Sequence, residues 1–337
     1  MTADRGAGPP PLIVIGGPTA TGKTGLSLAL AGALLAEGLG VEIISADSRQ
    51  VYRGMDIGTA KVGAADRARV RHHGLDLVDP DQPFSVADFV DHVAGALGAI
   101  ADRGAVALLV GGTGFYLRAV ADGLDFDALP HEPTARRRIE KQLETDGLAA
   151  VVARLGAIAP GLASSIDLRN PRRVVRALEI AELRGDRPLP GPLGYGGPML
   201  RLTLALDAPT HRTRIAERAR AQFAEGLLGE AAVLRRRYDP ALQAFSAIGY
   251  REAWAVLDGE LTLEEGIALD AQRNIAFARR QRTWFRAQPT DLVLDAARDP
   301  LTAALPRVRE LLARVAGRQG RGPAAHPSGR PDHDGLS

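Results

Sequence analysis

Pro11-Leu-Ile-Val-Ile-Gly16 runs directly into Gly17-Pro-Thr-Ala-Thr-Gly22-Lys23-Thr24, and this junction decides the fold. A short unbroken apolar run reads as a buried parallel strand. The eight residues after it match G-x-x-x-x-G-K-[ST] at every required position, and Lys23 to Glu37 is rich in Ala and Leu, as a helix would be. Glycines let the backbone curl so that successive N–H groups point at phosphate oxygens, with the positive end of the helix dipole behind them. Lys23 adds a point charge, and the Thr24 hydroxyl is placed to ligand a Mg2+ ion held by the phosphates. Gly17, Pro18, Thr19, Ala20, Thr21, Gly22, Lys23 and Thr24 together are therefore read as a phosphate-binding loop.

Outward from that loop the pattern alternates. Val41-Glu-Ile-Ile-Ser45 reads as a second strand, Ser85 to Arg103 carries Phe89, Val93, Leu97 and Ile100 at helical spacing, and Ala105 to Val110 reads as a third strand. Strand signals vanish between Leu124 and Pro198, where Glu132 to Leu183 reads as several helices and Arg187 to Pro198 as a Pro/Gly-rich linker. Arg201 to Leu206 looks like a strand returning to the sheet, Thr262-x-x-Glu265 has the spacing of a capping box for a long helix, and Thr290 to Leu294 suits a last edge strand. The expected fold is α/β: a P-loop NTPase-like parallel sheet core at 11–123 and 199–316, the second part mainly helical. An all-helical subdomain is inserted at 124–198, and a disordered tail is expected at 317–337.

Composition narrows the function classes. The chain has 337 residues, 45% of them hydrophobic, enough for one large core and a second smaller one. No apolar run is long enough to span a membrane, and Met1 to Pro11 lacks the apolar middle of a secretory signal. With no cysteine, disulfides and Cys-based zinc sites are excluded, and a reduced cytoplasm is the simplest address. The net charge is +2, and the basic residues are nearly all arginine, only Lys23, Lys61 and Lys141 being lysine. Where the arginines cluster matters more than their number: Arg136-Arg-Arg138 and Asn170-Pro-Arg-Arg173 lie in the helical insertion, and Arg279, Arg282 and Arg286 share a helical face. Solvated charge is the ordinary explanation for each run; two on one insertion also suit a phosphate-tracking arm.

The default ligand of such a loop is ATP or GTP. Hydrolysis would need an acidic residue at the end of the third strand, where this chain has Gly111-Gly112-Thr113. The nearest carboxylate is Asp47, just past the second strand, on the edge that faces the ligand crevice in open α/β sheets. It could hold a metal through water or take a proton from an incoming nucleophile, and composition does not choose between them.

Several blocks in order carry a resemblance. The loop itself, Asp47-Ser48 with Gln50-Val-Tyr52, Gly54-Met-Asp-Ile-Gly-Thr-Ala-Lys61, Gly111-Gly-Thr-Gly-Phe-Tyr116, Ile248-Gly-Tyr-Arg-Glu252 and Arg280-Gln-Arg-Thr-Trp284 resemble those of tRNA dimethylallyltransferases, also called tRNA isopentenyl transferases, over residues 11 to 290. The resemblance implies transfer of a dimethylallyl group from dimethylallyl diphosphate to N6 of the adenine 3′-adjacent to the anticodon, with Mg2+ and with the loop holding a diphosphate leaving group. It implies Asp47 as general base, and a clamping arginine for which Arg214 aligns best in His211-Arg-Thr-Arg-Ile215, with Arg212 and Arg218 close by. It implies contacts to the anticodon stem-loop of tRNA by Asp47, Ser48, Arg49 and Gln50, by Thr113 and Arg136, and by Arg172, Arg173, Val174, Val175 and Arg176. Further contacts would come from Gly249, Tyr250 and Arg251 and from Arg279, Arg280, Gln281, Arg282 and Trp284. On the residues alone Trp284 suits core packing better than base stacking. A prenyltransferase for free adenylate and a small-molecule P-loop kinase share parts of the pattern. A free nucleotide needs no extended basic surface, and a kinase would need ATP and a phosphate acceptor. A monomer is the default expectation.

Overall fold

The apolar run at 12–16 lies at the centre of a parallel sheet in the computed structural model, which describes residues 8–126, 129 and 131–319. Among the described residues six strands form the sheet: β1 (Leu12–Gly16), β2 (Val41–Ser45), β3 (His72–His73), β4 (Val106–Gly111), β5 (Met199–Ala205) and β6 (Leu292–Asp295). Their order is β3-β2-β4-β1-β5-β6, and every pairing is parallel. β1, β2 and β4 are buried at every position, because helices cover both sheet faces. β5 buries Leu200, Leu202 and Leu204 and half-exposes the residues between them, as a strand nearer the edge does.

The strands read from the sequence are present within one or two residues; β3 was not expected. Two residues give no period to read. Tertiary contacts define it: Glu42 on β2, itself buried, accepts from Arg103 Nε at 2.6 Å and lies 2.7 Å from His73 Nε2. These partners outweigh burial and hold the Glu42 carboxyl below its ordinary range.

Two compact units are distinct, one of residues up to 120 and from 195 onward, the other of residues 121–194; the sequence had suggested 124 and 198. In the second unit, helices Pro133–Ile158, Pro160–Ser164 and Pro171–Arg184 pack around Ile139, Val151, Leu155, Val174 and Leu178. The first helix is interrupted at Gly147, whose φ of 79° is left-handed. Pro at the first position of each helix costs no hydrogen bond, and Asn170 caps the third by accepting from the Arg172 and Arg173 amides.

In the first unit, Thr262 and Glu265 form the expected capping box and start the helix Leu263–Arg286. Of the expected tail, 317–319 continue the helix Pro300–Gln319; the remainder, like Met1 to Ala7, lies outside the described residues. Among the described residues no helix is long and apolar enough to cross a membrane.

Gly111 marks where the sheet positions the site. A Cβ there would stand 2.0 Å from the Ala46 carbonyl oxygen, which the Thr113 amide approaches at 3.3 Å. Gly111→Ala is expected to destabilise the protein by about 3 kcal/mol, because backbone rather than a flexible side chain must move. A urea midpoint unchanged from wild type would refute this.

Candidate active site

The carboxyl ends of β1, β2 and β4 open into one cavity of about 420 Å3, lined among others by Thr19, Lys23, Thr24, Asp47, Gly112, Thr113, Arg218 and Gln281. β1 and β4 are neighbours, so the Gly17–Thr24 loop and the Gly112-Thr113 turn lie side by side. The loop must pass close under β5: a Cβ on Gly17 would meet the Leu204 carbonyl oxygen at 2.7 Å. Gly22, at φ 86°, starts the helix Lys23–Ala36 in a left-handed turn that other residues rarely adopt.

Helices of the first unit hold the loop from behind. From Leu263–Arg286, buried Gln281 accepts from the Thr19 amide at 2.8 Å and donates to the Gly112 carbonyl at 2.8 Å, clipping the two turns together. From helix Ala208–Ala224, His211 Nε2 lies 2.7 Å from the Thr19 carbonyl and Arg218 donates to Thr19 Oγ1 at 2.6 Å. Arg282 donates to His211 Nδ1 at 3.3 Å, so the proton of His211 sits on Nε2 and points at the carbonyl. Burial first, then the charges of Arg282 and Lys23, push His211 below the ordinary imidazole range.

Lys23 donates back to the Pro18 carbonyl at 2.6 Å. Desolvation and the nearby Arg218 guanidinium pull its ammonium down to about 7, against the opposing pull of Asp47. Two cations kept this close, one of them reluctant to stay charged, make a site that an anion would relieve. Deeper in the same unit, burial pushes the Asp270 carboxyl up to about 6, with Arg218 acting against the rise.

Asp47 sits on the turn after β2. Its Oδ1 accepts from the Arg49 amide at 2.8 Å, and the next amide, Ser48, donates to Thr113 Oγ1 at 3.0 Å. Gln50 Oε1 accepts from Ser45 Oγ at 2.8 Å, and Arg49 reaches the Gln243 carbonyl and Ser246 Oγ, each at 2.9 Å. The turn is thus fixed at both ends, with the carboxylate half-buried and facing the same cavity as Lys23 and Thr24.

The structure does not bring all expected contacts to the surface. Arg280 is exposed and lies over the Phe277 ring, 5.7 Å from its centroid, at the cavity wall; Arg279, Arg251, Arg172 and Arg173 are exposed too. Val174, Val175 and Tyr250 are buried and face their cores, so an RNA contact through these side chains is not what the structure offers. Gly249, at φ 110°, serves a turn whose amide donates to Glu252. Trp284 packs on Gly114, where a Cβ would come within 2.4 Å of its ring, and lies edge-on to Phe285. In the helical unit Arg136 pairs with Glu140, and Arg176 with buried Glu179.

Arg214 is half-buried and does not line the cavity, whereas Arg218 does. The inward stripe of this helix runs through His211, Ile215, Ala219 and Gln222. Arg218, seven residues from His211 and three from Ile215, falls within it, while Arg214 falls on its shoulder. Helical spacing could have found this; alignment of the His211 to Ile215 block could not.

The sequence model of the IPP transferase family matches residues 50–288. The chain is 45% identical over 290 residues to the tRNA dimethylallyltransferase of Roseiflexus sp. (strain RS-1), covering 85% of this chain and 93% of that one. It is 41% identical over 283 residues to that of Thermus thermophilus, covering 83% and 91%. Among solved structures it resembles the tRNA isopentenylpyrophosphate transferase of Bacillus halodurans at 36% identity and a TM-score of 0.66, covering 92% of this chain and 99% of that one. A eukaryotic dimethylallyltransferase acting on tRNA shares the fold, with a TM-score of 0.73 at 24% identity, covering 93% of this chain and 80% of that one.

Proposed function

Because the chain belongs to the IPP transferase family, that of the tRNA dimethylallyltransferases, we propose that its cavity moves a dimethylallyl group from dimethylallyl diphosphate to N6 of the adenine 3′-adjacent to the tRNA anticodon. The observation that carries this is the pairing of the cations Lys23 and Arg218 with the Asp47 carboxylate on the wall of one cavity. Lys23, Arg218 and Asp47 line the same cavity beside the Gly17–Thr24 loop, and β4 runs into Gly112-Thr113 where a triphosphate hydrolase would carry an acid.

An allylic carbon leaves its diphosphate readily once the departing charge is neutralised. Lys23, Arg218 and the loop amides would meet that charge as the C1–O bond lengthens. The adenine amine, its lone pair delocalised into the ring, would attack C1 while Asp47 orients it and takes one N6 proton. The N6–C1 bond forms, the C1–O bond breaks, and diphosphate departs.

Thr24, exposed at the cavity wall, offers the hard oxygen donor that suits Mg2+, and it is the residue that would hold the ion beside the diphosphate. The ion would add positive charge where the leaving group develops its negative charge. The target base sits in a loop of RNA and must leave its stack to enter the cavity. Arg172 and Arg173 occupy the first turn of their helix, where a cation opposes the helix dipole; a phosphate ligand would offset that cost. A monomer is the proposed working unit.

The test is to incubate the protein with labelled dimethylallyl diphosphate, ATP, AMP and unmodified tRNA. Label is expected in tRNA alone. Label in AMP, or consumption of ATP with no label transferred, would overturn the reading.

A further inference from the structure

Glu230 belongs to none of the groups assigned above, yet it is the anchor of the segment that forms one cavity wall. It lies in the first turn of helix Leu227–Arg237. Its Oε2 accepts from the backbone amides of Asp56 at 3.0 Å and Ile57 at 2.7 Å, and its Oε1 from that of Gly58 at 3.0 Å. Three consecutive N–H groups pointing at one carboxylate form an anion nest occupied by the protein itself. A fourth donor, the Tyr250 hydroxyl, reaches Glu230 Oε1 at 2.7 Å. Burial and the Glu230 charge hold that phenol protonated well above its usual range, so it remains a donor.

The same segment is held from two more sides. Gln222 donates to the Ile57 carbonyl at 2.6 Å and the Gly58 carbonyl at 3.0 Å. Lys61, whose side chain is 1% exposed, closes its far end on Asp56, Asp76 and the Tyr52 carbonyl. Gly58 lies flat on the Tyr250 ring, where a Cβ would stand 2.6 Å from the nearest ring carbon.

What this clasp controls is visible in the next hydrogen bonds. Gly58, Thr59 and Ala60 line the cavity. The carbonyls of Thr59 and Ala60 accept from Gln50 Nε2 at 3.0 and 3.3 Å, which fixes the amide so that its oxygen accepts from Ser45 Oγ at 2.8 Å. Ser45 and Gln50 bracket the turn that carries Asp47. We propose that Glu230 is a positioning residue for the transfer: by clasping the 56–58 amides it sets the carbonyls that orient Gln50, and through Gln50 it holds the Asp47 turn in register with the phosphate loop. The proposal rests on the reading of Asp47 as the proton acceptor.

The geometry distinguishes this role from simple folding support, because the route runs through one side chain. A double-substitution cycle reads it directly. Glu230→Gln places an amide nitrogen against one set of the backbone donors and is expected to lower kcat about 30-fold, with KM for dimethylallyl diphosphate within twofold of wild type. Gln50→Ala alone is expected to give a similar loss, and the double variant no more than about threefold beyond either single one. Losses that multiply in the double variant would overturn the proposal, as would an unchanged kcat in Glu230→Gln. If Glu230→Gln does not fold, Tyr250→Phe, which removes one of the four donors, replaces it in the same cycle and is judged by the same non-additivity. A wild-type protein that transfers no label to tRNA would instead sink the underlying function, so the two failures are told apart.

Discussion

Asp47→Ala is expected to lower the rate of prenyl transfer about 1,000-fold while leaving tRNA affinity within a few-fold of wild type. The size follows from what the adenine amine lacks. Its nitrogen carries little basicity, so attack on carbon is productive only if the N6 proton has somewhere to go as the bond forms. Asp47 is the carboxylate on the cavity wall, and its other oxygen is committed to the Arg49 amide. That second contact complicates the alanine variant, since removing the carboxylate also frees one end of the turn. Asp47→Asn separates the two effects. The carboxamide oxygen keeps the Arg49 contact, but the group no longer takes a proton near neutrality. Equal losses in the two variants would point to proton transfer. A near-normal rate in Asp47→Asn would show that the turn, rather than the base, is what the enzyme needs from this position. Binding of tRNA measured by filter retention provides the control in both cases.

The core was legible because its signals are local. An apolar run ending in a glycine-rich loop, a capping box at Thr262, and β-type runs at 41–45 and 105–110 each specify themselves within a few residues. The two-residue β3 was not, since it exists through Glu42 and its partners Arg103 and His73, sixty-one and thirty-one positions away. The site divides in the same way. The phosphate loop and Asp47 follow directly from strand ends, where side chains of this sheet type must face a ligand. The clips that make the loop rigid do not: Gln281 meets Thr19 across 262 positions, and Glu230 meets Gly58 across 172. No periodicity announces such a pair. Resemblance marked Tyr250 and Val174 as contacts to RNA, whereas burial assigns both to the protein's own interior. A residue can be retained in a motif because the site's frame needs it, and only packing tells that apart from contact with the substrate.

Arg218→Ala is expected to reduce kcat/KM for dimethylallyl diphosphate by roughly 300-fold, and Arg214→Ala by less than fivefold. The contrast decides which arginine of the helix Ala208–Ala224 meets the diphosphate. Arg218 lines the cavity and donates to the Thr19 hydroxyl within the loop. Its charge also helps to pull Lys23 down to about 7, so the two cations are coupled before any ligand arrives. The sign of the pH effect follows. In the free protein Lys23 loses its proton as pH rises through about 7, while a bound diphosphate favours the charged ammonium and moves its titration upward. Affinity for dimethylallyl diphosphate without tRNA should therefore be full below pH 7 and decline by up to about tenfold per unit above it, with proton uptake on binding at pH 8. Arg218→Ala removes one of the two causes of the depression, so the break should move to higher pH even as overall affinity falls. Calorimetry in buffers of different ionisation enthalpy reads both quantities. A break that stays near 7 in the variant would mean that desolvation alone sets Lys23. If Arg214→Ala instead produced the larger loss, the clamp would belong one helical turn earlier than the cavity lining indicates.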